Sequence, residues 1–204
     1  MKKIIFSLLA IAGCITTNAQ SKGNFEFGLN TGLNFSTSTS SDYGSMDTNY
    51  SYNFAGSAEY FFSESWGIKA KLTYDRKGWD NDLIDDELGR TYTTDINADY
   101  LTIPVMASWH FGRTNNWYLN FGGYVGFLMS AKETRFDTDI KHVFNTTDAG
   151  LALGLGVKIP VSDFIKIFIE YQEQAGVIDV FKNNDYDPVL NSRSAINVGI
   201  NFLL

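Results

Sequence analysis

Apolar and polar positions alternate with a period of two along most of this chain, most cleanly over residues 100–127. There Leu101, Ile103, Val105, Ala107, Trp109 and Phe111 share one parity. Tyr100, Thr102, Pro104, Ser108 and His110 share the other, with Met106 the apolar exception. After a polar turn at residues 112–116, Trp117, Leu119, Phe121, Val125 and Phe127 alternate with Tyr118, Asn120, Gly122, Tyr124 and Gly126. A helix would repeat every ~3.6 residues, so this is a pair of strands, greasy on one face and small or polar on the other.

The same alternation predicts strands over residues 25–35, 52–62, 66–74, 148–159, 164–174 and 194–204, which makes eight in all. The connections alternate in length. Residues 63–65, 112–116 and 160–163 are short turns. Residues 36–49, 78–94, 132–147 and 177–191 read as long polar loops. Tight turns at one end and long loops at the other, joining strands of about 9–11 residues, are the plan of an outer-membrane barrel. The expected fold is all-β, an eight-stranded antiparallel up-and-down transmembrane β-barrel, with both termini on the periplasmic side.

Aromatic placement assigns the greasy face. Phe62, Trp66, Trp109 and Trp117 flank the short turns, while Tyr52, Phe54 and Tyr74 lie at the opposite strand ends. Two aromatic bands on the greasy parity predict the interfacial girdles of a barrel in lipid. A soluble barrel would turn that face inward and gain nothing from tryptophan at its strand ends. Composition agrees: aromatics are 15% of residues, with 18 glycines and only 3 prolines. The net charge of −7 argues against nucleic acid as a partner, because phosphate contacts need clustered Lys and Arg.

The first residues follow a different pattern. Lys2 and Lys3 precede a short apolar run and a small-residue site around Ala19, which reads as a signal peptide over residues 1–20 and a barrel over residues 21–204. Cys14 is the only cysteine, so no intramolecular disulfide forms; Ile11-Ala12-Gly13-Cys14 also resembles a lipobox.

The polar parity should line the lumen. It carries Glu26, Glu59, Lys69, Lys71, Asp75, Lys158, Lys166 and Glu170, four acids and four bases. Buried charge demands such balance, and eight strands enclose only enough space for side chains. Pairing Phe62 with Trp66 across the turn sets Glu59 opposite Lys69 and predicts a near-direct ion pair. Ser108 and His110 share the lumen parity near the short-turn rim, where they read as structural polar residues rather than a hydrolase pair. His142, in a long loop, reads as solvated. The run Asp80-Asn81-Asp82, with Asp85, Asp86 and Glu87, lacks Ca²⁺-loop spacing and reads as a solvated acidic loop, with weak divalent bridging to lipopolysaccharide phosphates as the alternative. No catalytic, cofactor or metal residues are assigned.

At YLTIPVMASWHFG, NFGGYVGFLMS and DAGLALGLGVKI the sequence resembles PorT-like outer-membrane β-barrel proteins of Gram-negative bacteria. Tyr100-Leu101-x-Ile103-Pro104 is the most specific piece. The chain departs from the usual barrel-assembly signal in ending Phe202-Leu203-Leu204 rather than on an aromatic. The resemblance implies location and fold, and names no substrate. The expected role is structural, adhesive or envelope-interacting, through the long loops and without an open pore. An accessory role in secretion or transport, as the resemblance implies for some members, is the alternative, and a lipid-modifying enzyme is a third. Expected partners are outer-membrane lipids and lipopolysaccharide, the barrel assembly machinery and a secretion or envelope protein.

Overall fold

The computed structural model describes residues 23–40, 44–85 and 89–204. The segment read as a signal peptide, Cys14 included, lies outside the described residues, as do Asp86 and Glu87 of the acidic run. The strands are β1 (Phe25–Ser40), β2 (Gly44–Ser45), β3 (Asp47–Phe61), β4 (Trp66–Asp85), β5 (Thr91–Phe111), β6 (Trp117–Glu133), β7 (Thr147–Pro160), β8 (Ile165–Asp179) and β9 (Leu190–Leu203). The two-residue β2 prolongs the hairpin between β1 and β3. The other eight pair antiparallel in chain order. β1 closes on β9 from Glu26↔Leu203 to Thr39↔Leu190, so the sheet is a complete ring without an open edge.

The wall is inside out relative to a soluble protein. Leu29, Leu72, Val105, Leu151 and Val198 are exposed, while Glu26, Lys69, Asn120, Lys158 and Glu170 are buried. Such a partition is stable where hydrocarbon, not water, bathes the outer face. Phe62, Trp66, Trp109 and Trp117 all point outward at the short-turn end. The Trp66 ring stacks 6.2 Å from that of Trp109 and meets Phe121 edge-on at 6.2 Å. Tyr52, Phe54 and Tyr74 point outward at the other end, where the Arg76 guanidinium lies 5.7 Å from the Tyr52 ring centre.

Two of the expected loops are largely strand. Residues 78–94 continue β4 and β5 as a hairpin, with Trp79 paired to Ile96 and Asp85 to Thr91. Within residues 36–49, β1 runs on to Ser40 and β3 begins at Asp47. The reason is an inversion of amphipathicity. Inside the membrane the lumen parity of β4 is Lys69, Lys71, Thr73, Asp75 and Lys77; one step higher it is Trp79, buried against apolar neighbours. Beyond the lipid the outer solvent is water, so the inward face turns greasy and the outward face polar. Asn81, at φ 57°, sits in a bulge between Trp79 and Asp82 that shifts the register, so the alternation is broken just where its sense reverses. Gly78 permits the adjoining bend. Its φ is 138°, and a Cβ there would lie 1.8 Å from the Ile96 carbonyl oxygen.

Candidate functional site: a filled lumen under an apolar cover

Inward parity brings the eight predicted charges into one column; seven are buried, and Lys166 lies at the rim with 12% of its side chain exposed. At the short-turn end, Lys158 Nζ donates to Glu26 and, at 3.0 Å, to Glu59. Lys166 Nζ and Asn201 Nδ2 also donate to Glu26, at 2.9 and 2.7 Å. Halfway up, Lys71 Nζ donates to Glu170 at 2.5 Å, and Asn120 Nδ2 to the other oxygen at 2.9 Å. Higher again, Arg193 Nε meets Asp75 at 3.0 Å, and Asn34 Nδ2 donates to the same Asp75 oxygen at 2.9 Å. Lys77 Nζ meets Asp148 at 2.9 Å, with Tyr124 Oη donating to that carboxylate at 3.2 Å.

The expected Glu59–Lys69 ion pair forms, but only as a loose contact. The register is Glu59↔Lys69, and the backbone N–H of Phe62 bonds the Trp66 carbonyl. Yet Lys69 Nζ stays 3.9 Å from Glu59 and an equal 3.9 Å from Glu170, and donates no hydrogen bond. It faces the rings of Tyr118 and Phe168, 4.9 and 5.5 Å from their centres. The closer contacts of Glu59 are to Lys158, from across the barrel, at 3.0 Å and to His110 Nε2 at 2.6 Å. Adjacency in a hairpin fixes where two Cα atoms lie. In a closed lumen it does not decide which of several converging charges meet. Tyr118 fills the same layer because Gly156 leaves it room: a Cβ at Gly156 would sit 2.4 Å from the phenol oxygen.

The expected four-to-four balance is also incomplete. Lys77, Asp148 and Arg193 are buried in the same column, making five carboxylates and six cations with Lys166 included, among the described residues. All three lay on or beside the predicted strand ends. Running the inward parity a few residues further at the long-loop end would have found them.

Ser108 and His110 do meet, Oγ to Nε2 at 3.1 Å, beside Glu59. The arrangement is not a nucleophile relay. A relay uses one ring nitrogen for the serine and the other for the acid. Here Nε2 faces both, Nδ1 has no partner, and Ser108 and His110 are at most 1% exposed.

Above the charges lies a greasy cluster that was not expected from the sequence. Trp79, Ile96, Ala98, Leu128, Phe144, Val180 and Val189 bury one another. Trp79 stacks on Phe144 at 6.1 Å and meets Phe181 edge-on at 5.9 Å. Phe144 and Phe181 come from the two connections at residues 134–146 and 180–189, which are joined by a bridge at this pair. The first connection is pinned by Glu133, beyond the membrane-spanning segments. Its carboxylate accepts from Thr94 Oγ1 at 2.8 Å and from the backbone N–H groups of Arg135, Phe136 and Thr138 at 3.0, 2.9 and 3.1 Å. Burial pushes the Glu133 carboxyl up, but these donors together outweigh it and hold the group below the usual carboxylate range.

A closed eight-stranded ring with an apolar exterior, two aromatic girdles and a filled polar lumen defines an integral outer-membrane barrel. The chain belongs to the outer membrane protein beta-barrel domain family, whose model matches residues 18–182. No curated protein matches in sequence. Among solved structures, OprG of Pseudomonas aeruginosa superposes with a TM-score of 0.53 at 12% identity, over 92% of this chain and 99% of that one. Neisserial surface protein A gives 0.51 at 17% identity, over 85% and 96%. The outer-membrane protein AlkL gives 0.51 at 8% identity, over 93% and 94%. At these identities the likeness carries the fold alone.

Proposed function

We propose that this protein is a closed outer-membrane barrel of PorT-like type, its termini periplasmic, which holds a structured extracellular surface for adhesion or contact with envelope components. The observation that carries this reading is the double closure of its interior. Cross-barrel ion pairs fill the lumen, and the Trp79–Phe144–Phe181 cluster covers it. A lumen closed twice is a scaffold rather than a conduit, and both loops that build the cover are held in place by it. Lipopolysaccharide and outer-membrane lipid surround the wall, the barrel assembly machinery inserts it, and the exposed hairpin of β4 and β5 meets the partner. Affinity capture from cross-linked envelopes tests the role. Surface or envelope components should co-purify; a discrete secretion machine would overturn the reading in favour of an accessory role in secretion.

A further inference from the structure

One carboxylate stands on the wrong face of the wall. Glu173 of β8 lies on the outward parity with Ile167, Ile169, Tyr171 and Val177, opposite Leu153 on β7 and Ser194 on β9. It is eight residues in from Ile165, the depth at which the girdle residue Tyr74 stands from Trp66. Between the short turns and that level, it is the only charged side chain on the outward parity among the described residues. Its partners are both hydroxyls: Ser194 Oγ donates at 2.8 Å, and Tyr171 Oη donates to the same oxygen. No ion pair to Glu173 forms among the described residues. Arg76 and Asp99, the next outward charges above the girdle, neutralise each other at 2.6 Å.

Beside Glu173 the outer face of the wall carries an open groove. Its volume is about 490 Å³, and it is lined by Phe121, Gly122, Leu151, Leu153 and Ala175 and by Glu173 itself. Phe121 is only four residues in from Trp117, so the groove reaches from the middle of the belt to the girdle on the loop side. An apolar trough with one carboxylate in its lining, at the depth of the girdle, has the chemistry of an amphiphile's binding site. The trough takes a hydrocarbon chain, and the carboxylate, costly to hold in a medium of low dielectric, takes a cationic head.

We infer that this groove binds one chain of a membrane lipid whose head carries a protonated amine, held by Glu173. The inference rests on the wall facing lipid, as proposed above. Heat-modifiable migration on a gel tests that premise separately, so the two can fail independently. The binding test is native mass spectrometry of the detergent-solubilised barrel. Lysophosphatidylethanolamine is compared with lysophosphatidylglycerol of the same chain length. Polar contacts within membranes are modest, so the amine lipid should be retained about threefold better. Glu173→Gln should abolish that preference while leaving the gel shift intact. Ala175→Phe, which fills the trough from the lipid side, should reduce retention of both lipids. Equal retention of the two lipids by the wild type, or a preference that survives Glu173→Gln, would overturn the inference and leave Glu173 surrounded by exchangeable lipid only.

Discussion

Lys158 and Lys69 are both buried cations beside Glu59, and the structure gives them opposite energetic roles. Lys158 donates to two carboxylates at once, and Lys69 donates to none. At an effective dielectric of about 20, each 3.9 Å contact of Lys69 supplies roughly 4 kcal/mol of gross attraction. Removing an ammonium from water costs several kcal/mol, and the unsatisfied donor adds about 1–3 kcal/mol, so its net worth is near zero. Lys69→Met keeps the volume and should change stability by less than ~1 kcal/mol. Lys158→Met leaves Glu59 with His110 and the 3.9 Å contact to Lys69, and Glu26 with Lys166 and Asn201, and should cost about 3–5 kcal/mol. Glu59→Gln in the Lys158→Met background should return part of that loss. The assay is denaturant unfolding in lipid vesicles, followed by tryptophan fluorescence and by the gel shift. A double-mutant cycle should show clear coupling of Glu59 to Lys158 and weak coupling of Glu59 to Lys69. Equal costs for the two lysines, or the reverse order, would refute this assignment of partners.

Three further outcomes are expected. Trp79→Ala should leave the barrel folded but open its cover. Burial of the ring is worth about 3–5 kcal/mol, so proteolysis within residues 134–146 and 180–189 should quicken while the gel shift persists. For Glu133, the folded carboxyl is depressed, so its contribution is complete above the unfolded value of about 4.3 and is lost as pH falls through the folded value. The protection factors of the Phe136 and Thr138 amides, taken against intrinsic exchange at each pH, should therefore fall as the pH drops below that unfolded value, and Glu133→Gln should flatten that dependence. Gly78→Ala should destabilise the hairpin of β4 and β5, measured as faster exchange at Trp79 and Ile96, because neither the φ nor the space admits a Cβ.

The strands, their faces and the aromatic bands were legible because a period of two survives wherever one face meets lipid and the other a polar lumen. Phe62, Trp66, Trp109 and Trp117 could be placed one residue at a time. The lumen partners could not. Lys71 and Glu170, 99 residues apart, meet only because the ring closes, and the same closure brings Lys158 closer to Glu59 than its hairpin neighbour Lys69 comes. The cover was hidden for a different reason. Trp79, Ile96 and Phe144 lie where outer solvent changes from hydrocarbon to water. There an inward greasy residue looks, by the membrane's rule, like a lipid-facing one out of register. Glu173 was the converse case, a charge on the greasy parity that a tally of the lumen face passes over.

The claim most exposed to test is that the interior is closed. Recording from purified barrels in a planar bilayer, with insertion verified by the gel shift of the same preparation, addresses it directly. Side chains paired across the lumen and an apolar cover predict a flat baseline with no steady conductance steps, in wild type and in Trp79→Ala alike, since the ion pairs lie below the cover. Stable steps of general-porin size in the wild type would mean that the lumen is open and would contradict the account.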